Sequence, residues 1–173
     1  MTTEERLRER CIALENLINS IREYYSEEST SKNQRAFIET IIGAAIWYLP
    51  HGKDYWNNKV SKAAISSLRD SAEVRLTRDH IYPRKDSAKK LLTDAEISLN
   101  GDGTNLKELY QKELGKYILV TPDENRRLVA IQKNHNYGKW EDAYEEAGIE
   151  LFDYEQILES EEEEFLQMFR KKR

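Results

Sequence analysis

The residues best equipped for chemistry stand together in the segment RLTRDHIYPRK, where Asp79 and His80 are adjacent and Arg75, Arg78, Arg84 and Lys85 flank them. A carboxylate beside an imidazole can divide the labour of hydrolysis. The carboxylate holds a divalent cation, and the imidazole takes the proton from the attacking water. Guanidinium and ammonium groups around the pair would bind a phosphodiester and offset the charge that grows in the transition state. The same residues have a plainer reading, in which His80 is a strand-end histidine bonded to Asp79 or to backbone and the arginines form surface ion pairs.

The run Asp79-His80-Ile81-Tyr82-Pro83 resembles the first motif of the HNH, or ββα-metal, nucleases: an acidic residue, a histidine, two variable positions and a proline. The resemblance implies a metal-dependent endonuclease acting on nucleic acid, with His80 as general base and Asp79 on a metal, Mg²⁺ or Mn²⁺. It also implies a later asparagine that orients the histidine, for which Asn125 is the candidate, and a further metal ligand at Asn134 or His135. Between His80 and Asn125 lie 44 residues, more than that family usually places there. Arg75, Arg78, Arg84, Lys85, Lys53 and Lys59 would then contact the nucleic acid. The alternative from another class is a non-catalytic protein-binding regulator or defence-system component, including a degenerate nuclease fold. It would use the amphipathic first helix or the acidic run Glu159 to Glu164 near the C-terminus, although such a run is most simply a solvated helix face.

Other constellations are weaker. Trp47, Tyr48, Tyr55 and Trp56 interleave with His51, Lys53 and Lys59, a mixture that can stack bases and follow a phosphate backbone. The favoured reading is that Trp47 and Trp56 plug the end of a helical core, as large aromatics at a helix terminus do. NGDGTN has the look of a calcium loop, but Ser98 and Leu109 occupy the positions where carboxylates should open and close it, so a plain turn is expected. Cys11, the single cysteine, falls on an apolar helix face and reads as a buried thiol.

The elements that must position these groups follow from periodicity. Leu7, Cys11, Leu14, Leu17, Ile18, Ile21 and Tyr25 mark a helix from Thr3 to Tyr25. Leu7, Leu14 and Ile21 would also suit a helix paired across a homo-oligomer. Phe37, Ile38, Ile41, Ile42, Ala45, Ile46 and Leu49 mark a second helix, apolar on most sides and expected at the centre; Pro50 and Gly52 end it. A loop rich in aromatic and basic side chains should follow, then a third helix from about Val60 to Ala72 with Ala64, Ile65 and Leu68 inward. Val74, Leu76 and Ile81 mark a strand or extended segment that stops before Pro83. Beyond it we expect a short helix at 88–92, a helix at 105–114 and a buried strand at Tyr117–Val120. A helix then opens on Thr121 and Pro122, followed by a strand at Ile149–Phe152 and a terminal helix from Tyr154.

With 34% charged and 39% apolar residues, 7 Gly and 3 Pro, the composition is that of a helix-rich globular protein and not of a β-sandwich or a disordered chain. The expected class is α+β, mostly helical. It reads as a single domain with a helical part at 1–72, an α/β part at 73–153 and an acidic-to-basic helix at 154–173. No stretch of some eighteen apolar residues occurs, and the N-terminus lacks the apolar stretch of a secretion signal, so a cytoplasmic protein without a membrane partner is expected. Net charge is −5, yet residues 51–92 hold 10 basic against 5 acidic side chains. That places a positive region around Asp79 and His80, in keeping with a nucleic-acid-facing site and equally with ordinary surface variation.

Overall fold

The computed structural model describes the chain except residues 51, 53–54, 72–73, 133–138, 161–165, 168 and 171–173, and the side chain of Ser160. Its class is α+β and mostly helical, with a small mixed sheet. The chain forms two compact units, Met1–Gly52 with Tyr82–Gly115 and Lys53–Ile81 with Lys116–Arg173.

In the first unit, helix α1 (Thr3–Ser26) begins where Thr2 and Glu5 cap each other reciprocally. The Glu5 N–H donates to Thr2 Oγ1 (3.1 Å) and the Thr2 N–H to the Glu5 carboxylate (2.6 Å). Its apolar stripe Leu7, Cys11, Leu14 and Ile18 is buried inside the unit. Of the three residues at seven-residue spacing, Leu7 and Leu14 are buried and Ile21 is half-buried. Helix α2 (Lys32–Trp47) starts with a second capping box, Ser31 and Gln34. Helix α4 (Arg84–Thr93) crosses α2 at Gly43, where a Cβ would come within 2.9 Å of the Arg84 carbonyl oxygen, so only glycine admits so close a crossing. A short helix α5 (Thr104–Leu109) runs into a π-helical turn at Tyr110–Leu114 that buries Tyr110 and Leu114.

The expectation of a central α2 is corrected. Ile42, Gly43 and Ile46 form its buried stripe, whereas Phe37 is 67% exposed, Ile41 43% and Tyr48 beyond its end 72%. Packing against α1 and α4 uses one side of the helix, and hydrophobicity all round does not create a second neighbour.

Polar side chains of α1 organise the segment after α4. Arg22 donates through Nε to the Leu91 carbonyl (2.9 Å) and through Nη1 to that of Ile97 (3.1 Å), and Asn19 reaches the Leu99 carbonyl (2.8 Å). Glu15 is fully buried, and its carboxylate accepts the N–H groups of Gly101 (2.8 Å), Gly103 (2.9 Å) and Leu106 (2.8 Å). The turn at NGDGTN is therefore wrapped around a protein carboxylate. Gly103 sits at φ +77° with Ile12 2.8 Å from where a Cβ would be, which excludes any side chain there.

The second unit holds a sheet in the order β2-β3-β1-β4. Strand β3 (Tyr117–Val120) is interior and every residue in it is buried, as a continuous apolar run between Gly115 and Pro122 requires. It pairs in parallel with β1 (Trp56–Ser61) and antiparallel with β2 (Thr77–His80), while β4 (Leu151–Asp153) runs antiparallel to β1. Helix α3 (Lys62–Asp70) follows β1, with Ser61 capping it, and buries Ala64, Ile65 and Leu68 as expected. Helices α6 (Pro122–Gln132), α7 (Trp140–Glu146) and α8 (Tyr154–Ser160) complete the unit.

Strand β1 replaces part of the expected aromatic loop. Trp56 pairs with Tyr117 but Val60 with Leu119, so four steps along β1 match two along β3, a bulge in which Asn58 takes φ +54°. The extra residues break the period-two pattern, and WNNKVS therefore did not read as a strand. Trp56 packs against Tyr154 (5.2 Å between centroids) and Phe169 (5.4 Å).

Candidate active site

Strand β2 carries the Asp-His pair, and its ladder with β3 sets where each side chain goes. Thr77 lies opposite Val120, Arg78 opposite Leu119, Asp79 opposite Ile118 and His80 opposite Tyr117, and the Ile81 N–H extends the pairing to the Lys116 carbonyl at 3.0 Å. Successive residues of a strand face opposite sides of the sheet. Adjacency in sequence thus separates Asp79 from His80 across the sheet.

On one face lie Arg78, His80 and Tyr117. Arg78 is exposed and its guanidinium stands over the Tyr117 ring at 5.2 Å from the centroid; His80 is half-buried beside them. A cation over an aromatic face is restrained by the ring's quadrupole.

On the other face Asp79 is buried, and its Oδ2 accepts the hydroxyl of Tyr144 on α7. Burial pushes the Asp79 carboxyl up to about 6, against the Tyr144 hydrogen bond, which pulls it down. The Tyr144 phenol is driven far up, first by burial and then by the Asp79 charge, so it stays a donor. Glu124 is a second buried carboxylate in this unit. It accepts Ser61 Oγ–H (2.5 Å), the Thr121 N–H (2.8 Å) and the Thr121 hydroxyl (3.0 Å), which ties the end of β1 to the start of α6.

The remaining expected site residues divide. Arg75 is exposed just before β2. Asn125 is on the first turn of α6, its N–H bonded to the Thr121 carbonyl. That turn follows Val120, at the end of the ladder away from His80, three residues or roughly 10 Å along the strand. Lys59 is committed to Asp153 at 2.7 Å and is not a free phosphate contact. Arg84 and Lys85 belong to α4 in the first unit, where Arg84 stacks on the Trp47 ring at 3.6 Å and burial lowers its pKa. Lys53, Asn134, His135 and most of the acidic run lie outside the described residues.

Among the described residues no three His, Cys, Asp or Glu side chains are grouped to hold a metal ion. Asp79 Oδ2 is taken up by the Tyr144 hydrogen bond. The aromatics are not a stacking platform as a set, since Tyr55 and Trp56 are buried while Trp47 lies under Arg84. Tyr144, Glu124 and Glu15 escaped the sequence reading. For Tyr144 the signal was a tyrosine on the apolar side of a short amphipathic segment, where a buried hydroxyl needs a partner. No helix among the described residues is long and apolar enough to cross a membrane. Comparison with protein-family models, with curated proteins and with solved structures finds no match.

Proposed function

We propose that this chain is a nuclease of the HNH kind, hydrolysing phosphodiester bonds of nucleic acid with His80 as general base and Arg78 beside it on the phosphate. One observation carries the reading. Strand β2, ending in Asp79-His80, pairs antiparallel with β3, and β3 leads directly into α6, the strand-strand-helix order for which the ββα group is named. The long interval between His80 and Asn125 has a structural counterpart: Tyr82–Gly115 belongs to the first unit, and the chain returns at Lys116 to form β3.

In this reading the His80 imidazole removes a proton from water as the water oxygen bonds to phosphorus. The bond to the leaving oxygen breaks, and that oxygen takes a proton from solvent. Arg78 offsets the charge on the non-bridging oxygens. A divalent cation comes with the resemblance. The test is incubation of wild type and His80→Ala with plasmid DNA, single-stranded DNA and RNA, in Mg²⁺, Mn²⁺ or EDTA. Cleavage by wild type alone, abolished by EDTA, is expected; undiminished cleavage by His80→Ala would refute the assignment.

A second reading, a non-catalytic protein-binding regulator or defence-system component, is favoured by the exposed Phe37 and Ile41 on α2 and by Tyr48 just past it. The α1 stripe is buried and is not available for such contact. Partner capture that Phe37→Ser abolishes and His80→Ala leaves intact, with no nuclease activity in either, would select this reading.

A further inference from the structure

A cavity of about 430 Å³ opens in the first unit among residues of α1, α2 and α4, within the size range of small-molecule sites. Its lining includes three cations, Lys32, Arg35 and Lys89, and one carboxylate, Glu39. Glu39 Oε1 accepts the Tyr25 hydroxyl at 2.6 Å, which fixes the carboxylate in place, so the three cations exceed the one anion of the lining. Arg35 is held in place by two carbonyls, donating through Nε to Tyr25 (3.0 Å) and through Nη2 to Glu27 (2.7 Å), and by the Tyr25 ring, 5.9 Å from its guanidinium. These bonds fix its orientation without an ion pair. Lys32 and Lys89 are exposed and have no ion-pair partner among the described residues. Asp86, partly buried near Lys89 and Glu39, is a second carboxylate close to the cleft but outside its lining.

Like charges gathered around a concavity repel one another, and an anion placed among them relieves that repulsion. We infer that this cleft binds a phosphate group, with Lys32, Arg35 and Lys89 as its contacts. Several cations around one centre match the three oxygens of a phosphate better than the two of a carboxylate. Arg35 is positioned in advance, so binding costs little ordering of that side chain. The volume leaves room for the group that carries the phosphate. This site is independent of the nuclease reading, because none of its residues lies in the unit that holds His80.

The full chain is titrated with inorganic phosphate, with a nucleoside 5′-monophosphate and with a short single-stranded oligonucleotide lacking a terminal phosphate, followed by calorimetry and ³¹P NMR. Saturable binding is expected, falling as salt rises. It should weaken about 100-fold in Lys32→Ala/Lys89→Ala, since each lost charged contact removes about tenfold or more. It should persist in Lys89→Arg, in His80→Ala and in Lys112→Ala, whose ammonium pairs with Glu108 on α5. Preference for the monophosphate identifies a phosphorylated small molecule as the ligand, and preference for the oligonucleotide a strand phosphate. Circular dichroism confirms that the double variant is folded. No saturable binding of any probe by wild type, or equal binding by the folded double variant, overturns the inference.

Discussion

Replacing Asp79 by asparagine should stabilise the protein at neutral and alkaline pH, although it deletes a charged hydrogen-bond acceptor. The side chain is buried, its single described partner is the neutral Tyr144 hydroxyl, and its pKa rises from 3.8 to about 6. An acid whose folded pKa is raised favours the folded state most when it is protonated. That benefit is complete below the unfolded pKa near 3.8 and is lost as pH climbs through about 6. A shift of about two units corresponds to roughly 3 kcal/mol between the two protonation states. Asparagine has nearly the same shape, can still accept the Tyr144 hydroxyl and never ionises. At pH 8 Asp79→Asn should therefore exceed wild type by about 2 to 3 kcal/mol, and the difference should shrink towards zero by about pH 4. Urea titrations of both proteins at intervals from pH 4 to 8, followed by tryptophan fluorescence, give that difference directly, since titrations elsewhere cancel between the two. A variant less stable than wild type at pH 8, or a difference that does not change with pH, would refute the account of Asp79 as a buried, under-compensated carboxylate.

Three further outcomes follow from the same contacts. Tyr144→Phe removes the Asp79 partner and should cost about 1 to 3 kcal/mol at pH 8, and much less in an Asp79→Asn background; a double-mutant cycle on urea midpoints measures the coupling, and additive effects would deny it. Glu15→Gln sets an amide NH₂ against N–H groups that all donate to the native carboxylate, so it should destabilise by about 2 to 4 kcal/mol in thermal or urea unfolding; a neutral result would exclude Glu15 as the anchor of the Gly101–Leu106 turn. Cys11 is fully buried and its thiol is pushed up to about 12, by burial and then by nearby Glu15; it should resist a thiol-specific disulfide reagent at pH 8 in the folded protein and react fully in urea, whereas prompt reaction of the native protein would contradict its burial.

Local signals in the chain were enough for several elements. The spacing of Leu7, Cys11, Leu14 and Ile18 specified α1 and its buried face, and the apolar run Tyr117–Val120 between Gly115 and Pro122 specified an interior strand. Thr121 and Pro122 announced α6, which opens with Thr121 Oγ1 accepting the Glu124 N–H at 3.2 Å. These features depend on contacts within about a turn of helix or a few strand residues, and so they are written locally. The α+β class followed from them together with composition.

What depended on distant partners was decided only by the tertiary structure. WNNKVS became β1 because β3, far along the chain, offered it a ladder with room for a bulge at Asn58. The second helix was as apolar as a central one, yet α1 and α4 covered a single stripe of it. The Asp-His pair, a joint site when read as neighbours, was split by the pleat of β2, which left His80 with Arg78 and gave Asp79 to Tyr144. Residue types and their local spacing determine which elements form and which chemistry is available. Which groups meet is set by pairings between residues such as Asp79 and Tyr144, whose separation in the chain no local pattern records, because burial and the hydrogen bonds it demands are satisfied only once the elements have packed.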